Sequence, residues 1–404
     1  MQEQLSTIRG TRKHASNWSI VLLVLLSGFC LQVWDLVGSS IWIDERATLQ
    51  VVAQPLWTGF VDAVITSEGR PPLYYLLLKG WGSLAGQSDY SLRYLSVIFA
   101  MLGIALAYAL GRTLLGSVGG LFTAAFTASA PYFVLYGRMI RAYPLTVVVG
   151  LASCYFFLRL RKRDRLVHWL GYNLASLALL HTDYVVITLI AAQNLVWLWL
   201  VLRKSWKPDW KRWVICQALL VAVYVPWIPR IFAQGTRSGY RSEADFTRGW
   251  AGYAAKLLYP LYSFAIGETI FPWHPAAIVG VLVLLFFALW GCVTLYRRDR
   301  AAFGFILAAL GTPLFFMTFV FTTWLAPVIP FITFGSRLMF VGPVLYVAVA
   351  AGLLAVRGAH WRLAIFSIII LARVFALDNY YDHRDFHNAI FVVPTREIAR
   401  ALTT

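Results

Sequence analysis

The chain has 404 residues, of which 60% are hydrophobic and only 13% are charged, and its mean hydropathy is +0.68. Soluble domains are usually about 25% charged, so this composition excludes a single soluble globular fold. The wealth of apolar and aromatic residues also excludes intrinsic disorder. The apolar runs are continuous and do not alternate, which argues against a β-barrel. The composition therefore indicates a membrane protein with room for roughly ten spanning helices of about 20 residues.

Eleven apolar segments predict membrane-spanning helices, and the predicted fold class is an all-α polytopic membrane protein. The predicted division is a basic tail (1–17), a transmembrane domain (18–377) and a short polar tail (378–404). In chain order the predicted spans are 18–37, 92–110, 118–136, 144–158, 166–180, 184–202, 213–232, 276–296, 301–324, 338–356 and 363–377.

The distribution of Lys and Arg predicts the orientation of these spans. If the N-terminus is cytoplasmic and the spans alternate, the inner segments hold 19 basic residues against four acidic ones. All the dense basic runs then fall on one side, so the net charge of +17 is a topology signal and not a nucleic-acid patch. We expect a cytoplasmic N-terminus and an extracytoplasmic C-terminus.

Two long outer loops remain, over residues 38–91 and 233–275. Each contains an apolar stretch that we interpret as a helix lying in the membrane interface. The stretch at 73–81 is too short to span, and a crossing there would move every later basic run to the outside. The stretch at 250–262 has its aromatic and leucine residues at helical spacing.

The first outer loop begins IWIDERATLQ and contains the candidate catalytic pair Asp44 and Glu45. Apolar residues precede this pair, and the pair follows a span by only a few residues. A carboxylate held there is partly desolvated and suited to act as a general base. A solvated pair of loop acids is the alternative.

Four arginines are candidates for binding a lipid phosphate: Arg70, Arg138, Arg141 and Arg337. Arg138, Arg141 and Arg337, like Arg93, are predicted at the outer end of a span, against the positive-inside bias. An outer-leaflet anion is a physical reason for that placement, and snorkelling to headgroups is the alternative. Arg70 instead lies in the first outer loop, before two prolines that mark a helix start.

The remaining candidates are four predicted substrate-binding residues: Tyr74, Tyr143, His181 and Asp183. His181 and Asp183 occur in HTDY at the outer end of the fifth span, where they are expected to contact an acceptor. Two such groups alone are weak evidence for a metal. We therefore expect no metal ligand and no cofactor, with a divalent metal left open.

These segments together resemble bacterial membrane glycosyltransferases of the GT-C superfamily. The resemblance is strongest to the glycosyltransferase family 39 group, which is related to the dolichyl-phosphate-mannose protein mannosyltransferases and to the lipid A aminoarabinose transferases. The resemblance is carried in order by IWIDERATL, RPPLYYLLLKGW, APYFVLYGRMIRAYPL, LALLHTDYVVI and GSRLMFVGPVL. Two positions depart from the family pattern: Arg70 stands where the family usually has His, and Met139 where it commonly has an acid.

The resemblance implies a transferase that moves a sugar from a polyprenyl-phosphate donor to an acceptor hydroxyl at the outer face of a bacterial plasma membrane. Asp44 would take the acceptor proton, Glu45 would position it, and Arg141, with Arg138, Arg70 or Arg337, would offset charge on the leaving phosphate. The acceptor would be a glycan, a lipid or a protein, and no nucleic acid is expected. A transporter or flippase for a lipid-linked substrate and a non-catalytic scaffold are the alternatives.

Overall fold

The computed structural model describes residues 2–56, 59–229, 250–325 and 335–382. In these ranges all regular secondary structure is helical and no strand occurs, so the prediction of an all-α fold is confirmed. The end of the predicted span 213–232, the first part of the loop 233–275 up to residue 249, and the polar tail from residue 383 onward lie outside the described residues.

Fifteen α-helices are described, and we number them in chain order. They are α1 (Gln2–Val33), α2 (Ile43–Ala53), α3 (Phe60–Ala63), α4 (Leu73–Ala85), α5 (Asp89–Ala128), α6 (Pro131–Gly137), α7 (Tyr143–Lys162), α8 (Leu166–Leu180), α9 (Ile187–Leu202), α10 (Trp210–Tyr224), α11 (Trp250–Ile266), α12 (Pro275–Arg298), α13 (Arg300–Phe315), α14 (Gly342–Ala355) and α15 (Ala359–Tyr381). Single π-helical or 3₁₀ segments occur at Val64–Glu68, Val225–Trp227, Phe316–Leu325 and Gly335–Val341.

Six of the described helical segments are long and apolar enough to cross a membrane: Asp89–Ala128, Tyr143–Lys162, Pro275–Arg298, Arg300–Val320, Ser336–Ala355 and Ala359–Tyr381. Three shorter apolar helices accompany them, over Trp18–Val33, Leu166–Leu180 and Ile187–Leu202. Each of the eleven predicted spans coincides with part of a described helix. The polytopic membrane architecture is therefore confirmed, whereas the number of crossings stays a prediction.

Helix α5 is a hairpin of two arms. Gly116 has φ 83° and ψ −178°, a conformation that only glycine adopts easily, and the chain reverses there. Other glycines let the arms touch, since a Cβ on Gly120 would lie 2.8 Å from the Tyr108 carbonyl oxygen, and one on Gly111 would lie 2.5 Å from Thr123 Oγ1. This hairpin accounts for two predicted spans.

The predicted span 118–136 is interrupted in the structure. Its first part ends with α5 at Ala128, and α6 begins anew at Pro131. Proline has no backbone N–H to continue the helix but suits the first helical turn. Arg373 of α15 donates a 2.6 Å hydrogen bond to the carbonyl of Phe126, near the broken end. The break turns the chain toward Arg138 and Arg141.

Helix α14 forms the centre of the bundle, and nearly all its residues are buried. Its approach to α12 is close because both helices present glycine at the contact. A Cβ on Gly291 would lie 1.8 Å from the Ala348 carbonyl oxygen, and a Cβ on Gly352 would lie 2.0 Å from that of Phe287. Small residues are the usual means of close helix packing in membranes.

The two predicted surface-lying stretches are helical, as α4 and α11, and their place in the membrane interface stays a prediction. Helix α4 buries Tyr74, Tyr75 and Leu78 against α2 and α5 in a small core of its own. Helices α2 to α4, α6 and the start of α7 gather at one end of the bundle. The basic turns gather at the other end, where Arg212 pairs with Asp164 at 3.3 Å.

Candidate functional site

The centre of the candidate site is a buried ion pair between Arg141 and Glu68. Arg141 Nη1 donates to Glu68 Oε2 at 2.7 Å and to Thr48 Oγ1 at 2.8 Å. Glu68 also accepts from Thr48 at 2.8 Å and from the Tyr75 hydroxyl at 3.0 Å. Burial opposes charge on Arg141, but the Glu68 carboxylate together with Tyr143, Tyr75 and Asp44 outweighs burial and raises the pKa of Arg141 well above its usual value. Arg141 is therefore a fixed cation.

Asp44 is the accessible acid beside this cation. Its side chain is 42% exposed, and its Oδ2 lies 3.7 Å from Arg141 Nη2, whose side chain is only 5% exposed. The Arg141 guanidinium also donates to the Asp44 carbonyl oxygen at 2.9 Å, which fixes the backbone of this residue. Asp44 thus combines a defined position, a neighbouring cation and access from outside.

A second group of buried charges lies around Tyr143, at the start of α7. Arg70 Nη2 donates to the Tyr143 hydroxyl at 3.3 Å, and its guanidinium lies 4.9 Å from the centre of that ring. Asp183 lies between two arginines, 3.7 Å from Arg70 Nη1 and 3.8 Å from Arg337 Nη1. Arg141 lies 5.9 Å from the same ring centre, so Tyr143 joins the two groups.

The arginines of this site have unused hydrogen-bonding capacity. Arg70 Nε, Arg70 Nη1 and Arg141 Nε are buried, and among the described residues they have no hydrogen-bond acceptor. The contacts of Asp183 with Arg70 and Arg337 are also longer than hydrogen bonds. Buried N–H groups without an acceptor are costly, so an anion that reached them would be bound strongly.

Glu45, the second acid of the predicted pair, faces the interior. Both its oxygens accept from Arg93, at 2.8 and 3.2 Å. It also accepts from the backbone N–H of Trp42, closing the N-terminal turn of α2, and from that of Ile140 at 2.9 Å. Glu45 therefore connects α2 and α5 to the turn that carries Arg141.

Arg138 has other partners. It donates to the Asp35 carbonyl oxygen and lies over the rings of Tyr380 and Tyr381, at 5.7 and 5.5 Å from their centres. The structure therefore brings Arg141, Arg70 and Arg337 together and gives Arg138 a place at the ends of α1 and α15.

Two predicted substrate-binding residues are also engaged elsewhere. The Tyr74 hydroxyl bonds with Ser96 of α5 at 3.2 Å, and it is Tyr75 that reaches Glu68. His181 ends α8, where its Nδ1 lies 2.8 Å from the Leu177 carbonyl oxygen.

Sequence reasoning missed Glu68, Thr48 and Tyr75. Glu68 ends a π-helical turn, and Gly69 after it has φ 60°, just before Arg70 and its two prolines. The only local sequence signal for Glu68 is that an acid and an arginine flank the glycine turn at Gly69. A further buried acid, Glu268, accepts from Tyr136 and Ser263 at 2.9 and 3.0 Å. In the described part of the chain no group of three or more His, Cys, Asp or Glu side chains is placed to hold a metal.

Comparison with known proteins relates this geometry to a known fold. The sequence profile of the family described as dolichyl-phosphate-mannose-protein mannosyltransferase matches residues 69–229. Curated protein sequences give no significant match. ArnT from Cupriavidus metallidurans in its apo state superposes with a TM-score of 0.56 at 16% identity, over 86% of this chain and 62% of ArnT.

Two further structures have the same architecture. ArnT from the same organism bound to undecaprenyl phosphate gives a TM-score of 0.54 at 17% identity, over 87% of this chain and 63% of that one. The oligosaccharyltransferase AglB from Archaeoglobus fulgidus, in complex with an inhibitory peptide and a dolichol-phosphate, gives 0.60 at 13% identity, over 93% and 56%. The chain has the GT-C fold.

The predicted resemblance to the GT-C superfamily is thereby confirmed at the level of the fold. The chain spans less than two thirds of the length of these GT-C structures. The family profile includes Arg70, Arg141 and Asp183, whereas Asp44 precedes the matched segment and Arg337 follows it. The ion pairs described above join all three parts of the chain in one site.

Proposed function

We propose that this protein transfers a sugar from a polyprenyl-phosphate donor to an acceptor hydroxyl at the outer face of a bacterial plasma membrane. One observation carries the proposal: Asp44, an accessible carboxylate, lies 3.7 Å from the buried cation Arg141. A group transfer from a phosphate needs a base for the nucleophile and fixed cations for the leaving group. The site offers both within one cluster of residues.

In the proposed reaction Asp44 takes the proton from the acceptor hydroxyl. The acceptor oxygen then forms a bond to the anomeric carbon, and the bond from that carbon to the phosphate oxygen breaks with inversion. The electron pair stays on the polyprenyl phosphate, where Arg141, Arg70 and Arg337 offset the growing charge. The N–H groups of Arg70 and Arg141 that have no acceptor among the described residues suit this task.

Glu45 takes a positioning role in this proposal. Its carboxylate oxygens accept hydrogen bonds from Arg93 and from the backbone N–H groups of Trp42 and Ile140. Because Ile140 directly precedes Arg141, the Glu45 contact fixes the turn that presents the guanidinium to Asp44. We therefore propose that Glu45 acts on the turn and not on the acceptor.

The distribution of charge favours a transferase over a transporter or flippase. The buried carboxylates of the described residues, Glu45, Glu68, Asp183 and Glu268, all lie outside the candidate spans. Transport pathways place such groups near the middle of the membrane. The relatives support the donor class, since one ArnT structure holds undecaprenyl phosphate and the AglB structure holds a dolichol-phosphate with a peptide.

The deciding experiment compares Asp44→Asn with wild type in transfer of a radiolabelled sugar from a polyprenyl-phosphate donor to a membrane acceptor fraction. General base catalysis contributes about 10²–10⁴-fold, so we expect transfer to fall by at least 100-fold while donor binding and thermal stability are kept. Asp62→Asn is the matched control, because Asp62 is an exposed acid outside this cluster. Near-normal transfer by Asp44→Asn would refute the base assignment.

A further inference from the structure

A large cavity lies between α9 and α13, at a distance from the site described above. Its volume is about 690 Å³, and most of its wall is apolar, including Trp199, Phe303 and Phe315. Both helices are long or apolar enough to lie in the membrane. Leu195 and Leu307 line the cavity and are each 54% exposed, so the cavity is continuous with the apolar surface of the bundle.

One end of this cavity is cationic. Arg203, just after α9, and Arg300, the first residue of α13, both line it. This is the end of the bundle where the basic turns gather, opposite to Asp44 and Arg141. Within the described part of the chain neither guanidinium pairs with a carboxylate. The neighbouring acid Asp299 caps α13 by accepting from the backbone N–H groups of Ala301 and Ala302.

Aromatic rings orient the two guanidinium groups. Arg203 lies over the ring of Trp199, 5.2 Å from its centre, and Arg300 over that of Tyr296 at 5.4 Å. Stacking of this kind leaves the in-plane N–H groups free to donate to a phosphate. Two oriented cations therefore lie at one end of the apolar cavity between α9 and α13, which we call the groove. This arrangement is complementary to an anionic headgroup with a hydrocarbon chain.

Two glycines of α13 shape the groove. A Cβ on Gly304 would lie 2.8 Å from the Trp199 ring, so glycine allows that ring to form the floor. A Cβ on Gly311 would meet no atom within 4 Å, so the groove is open there. The lining runs from Arg300 to Phe316, which at 1.5 Å per residue is about 24 Å.

We propose that this groove binds one anionic glycerophospholipid of the leaflet on the basic side of the protein. Its phosphate would contact Arg203 and Arg300, and one acyl chain would lie along α9 and α13 past Gly311. Basic pockets between helices on the cytoplasmic side of membrane proteins are suited to anionic headgroups. The cationic end lies opposite the proposed transfer site, which distinguishes this lipid from the sugar donor.

Native mass spectrometry of the delipidated full-length protein with added phosphatidylglycerol tests the proposal. We expect phosphatidylglycerol to bind more tightly than phosphatidylcholine. The double variant Arg203→Gln with Arg300→Gln should lose about fivefold in affinity for each arginine, roughly 25-fold together. The matched control is Arg163→Gln with Arg357→Gln, two exposed arginines of the same face outside the groove, and it should change the affinity less than twofold.

A second variant tests the position of the acyl chain without changing charge. Gly311→Phe places a ring in open space and replaces a helical glycine, so folding should be kept, while phosphatidylglycerol binding should be lost. If the double arginine variant bound phosphatidylglycerol with wild-type affinity, the arginines would only contact headgroups of the surrounding bilayer. That result would overturn the proposal. Unchanged binding by Gly311→Phe, or equal competition by a polyprenyl phosphate, would overturn it as well.

Discussion

Arg141 donates a hydrogen bond to Glu68 over 2.7 Å, although 73 residues separate them in sequence. Both side chains are buried, with exposed fractions of 5% and 3%. This contact joins the turn after α6 to the π-helical segment before α4, and Thr48 of α2 bonds to both partners. The ion pair thus holds three separate stretches of the chain together, and this fixes the position of Arg141 beside Asp44.

Replacing Glu68 should therefore damage both stability and transfer. Glu68→Gln removes the hydrogen-bonded anion of the buried Arg141 and leaves only the partly exposed Asp44 at 3.7 Å. Breaking a buried pair on one side typically costs about 3–5 kcal/mol. We expect a clear fall in the melting temperature of the detergent-purified protein and a fall in transfer of at least tenfold. Asp62→Asn, an exposed acid of the same loop, should melt as wild type does. A Glu68→Gln variant with wild-type melting temperature and transfer would show that this pair contributes nothing.

Arg70 should contribute to donor binding more than Arg138 does. Arg70 has two buried nitrogens without a hydrogen-bond acceptor among the described residues, whereas Arg138 is engaged with Asp35 and two tyrosine rings. Charge-assisted hydrogen bonds are typically worth about 1.5–3 kcal/mol, so Arg70→Gln should weaken binding of a polyprenyl phosphate by about tenfold or more.

The measurement is the dissociation constant of the lipid from purified protein, with Arg138→Gln as the comparison variant. Arg138→Gln should alter thermal stability more than lipid affinity. If Arg138→Gln weakens lipid binding more than Arg70→Gln does, the phosphate site lies toward Tyr380 and our placement is wrong.

The helices were largely predictable from sequence because hydropathy is a local property. The span predicted at 166–180 coincides with α8, and the stretch at 73–81 lies within α4. The interruption before Pro131 was not predicted, since apolar residues continue across it and only the proline marks it. The reversal at Gly116 falls between two predicted spans, where a break in apolar character was visible.

The site was predictable only in part. Asp44, Arg141, Asp183 and Arg337 are predicted near the outer end of a span and Arg70 at a helix start in the first outer loop, and the structure brings all five together. The sequence pattern predicts Tyr74 as the site tyrosine, whereas in the structure Tyr75 contacts Glu68. Adjacent helical residues point about 100° apart, so the choice depends on which face of α4 packs on α5. Glu68 needed the same tertiary information.

The orientation of the chain is a separate prediction from the 19 basic and four acidic residues of the expected inner segments. A reporter fused after Arg163 should be cytoplasmic, and one fused after Thr404 should be extracytoplasmic. Paired reporters that are active on opposite sides of the membrane give the measurement. Both fusions on the same side would contradict the predicted topology.

Glu268 should make the stability of the protein depend on pH. Burial raises the pKa of this carboxyl, against the effect of hydrogen bonds from Tyr136, Ser263 and Tyr259. Above about pH 4.5 the unfolded chain releases this proton while the folded chain keeps it. The folded state then binds more protons, so its contribution to the free energy of unfolding falls as pH rises toward the raised pKa.

Glu268→Gln removes this titration and keeps the shape and much of the hydrogen bonding of the neutral acid. We expect the free energy of unfolding of the variant, relative to wild type, to increase as the pH is raised above about 4.5, with a slope of at most about 1.4 kcal/mol per pH unit. Thermal unfolding of detergent-purified protein over this range gives the measurement. A difference between Glu268→Gln and wild type that stays constant over this range, or that falls with pH, would mean that Glu268 is charged in the folded protein and needs a cation near it. The hydroxyl groups of Tyr136 and Ser263 supply no such charge.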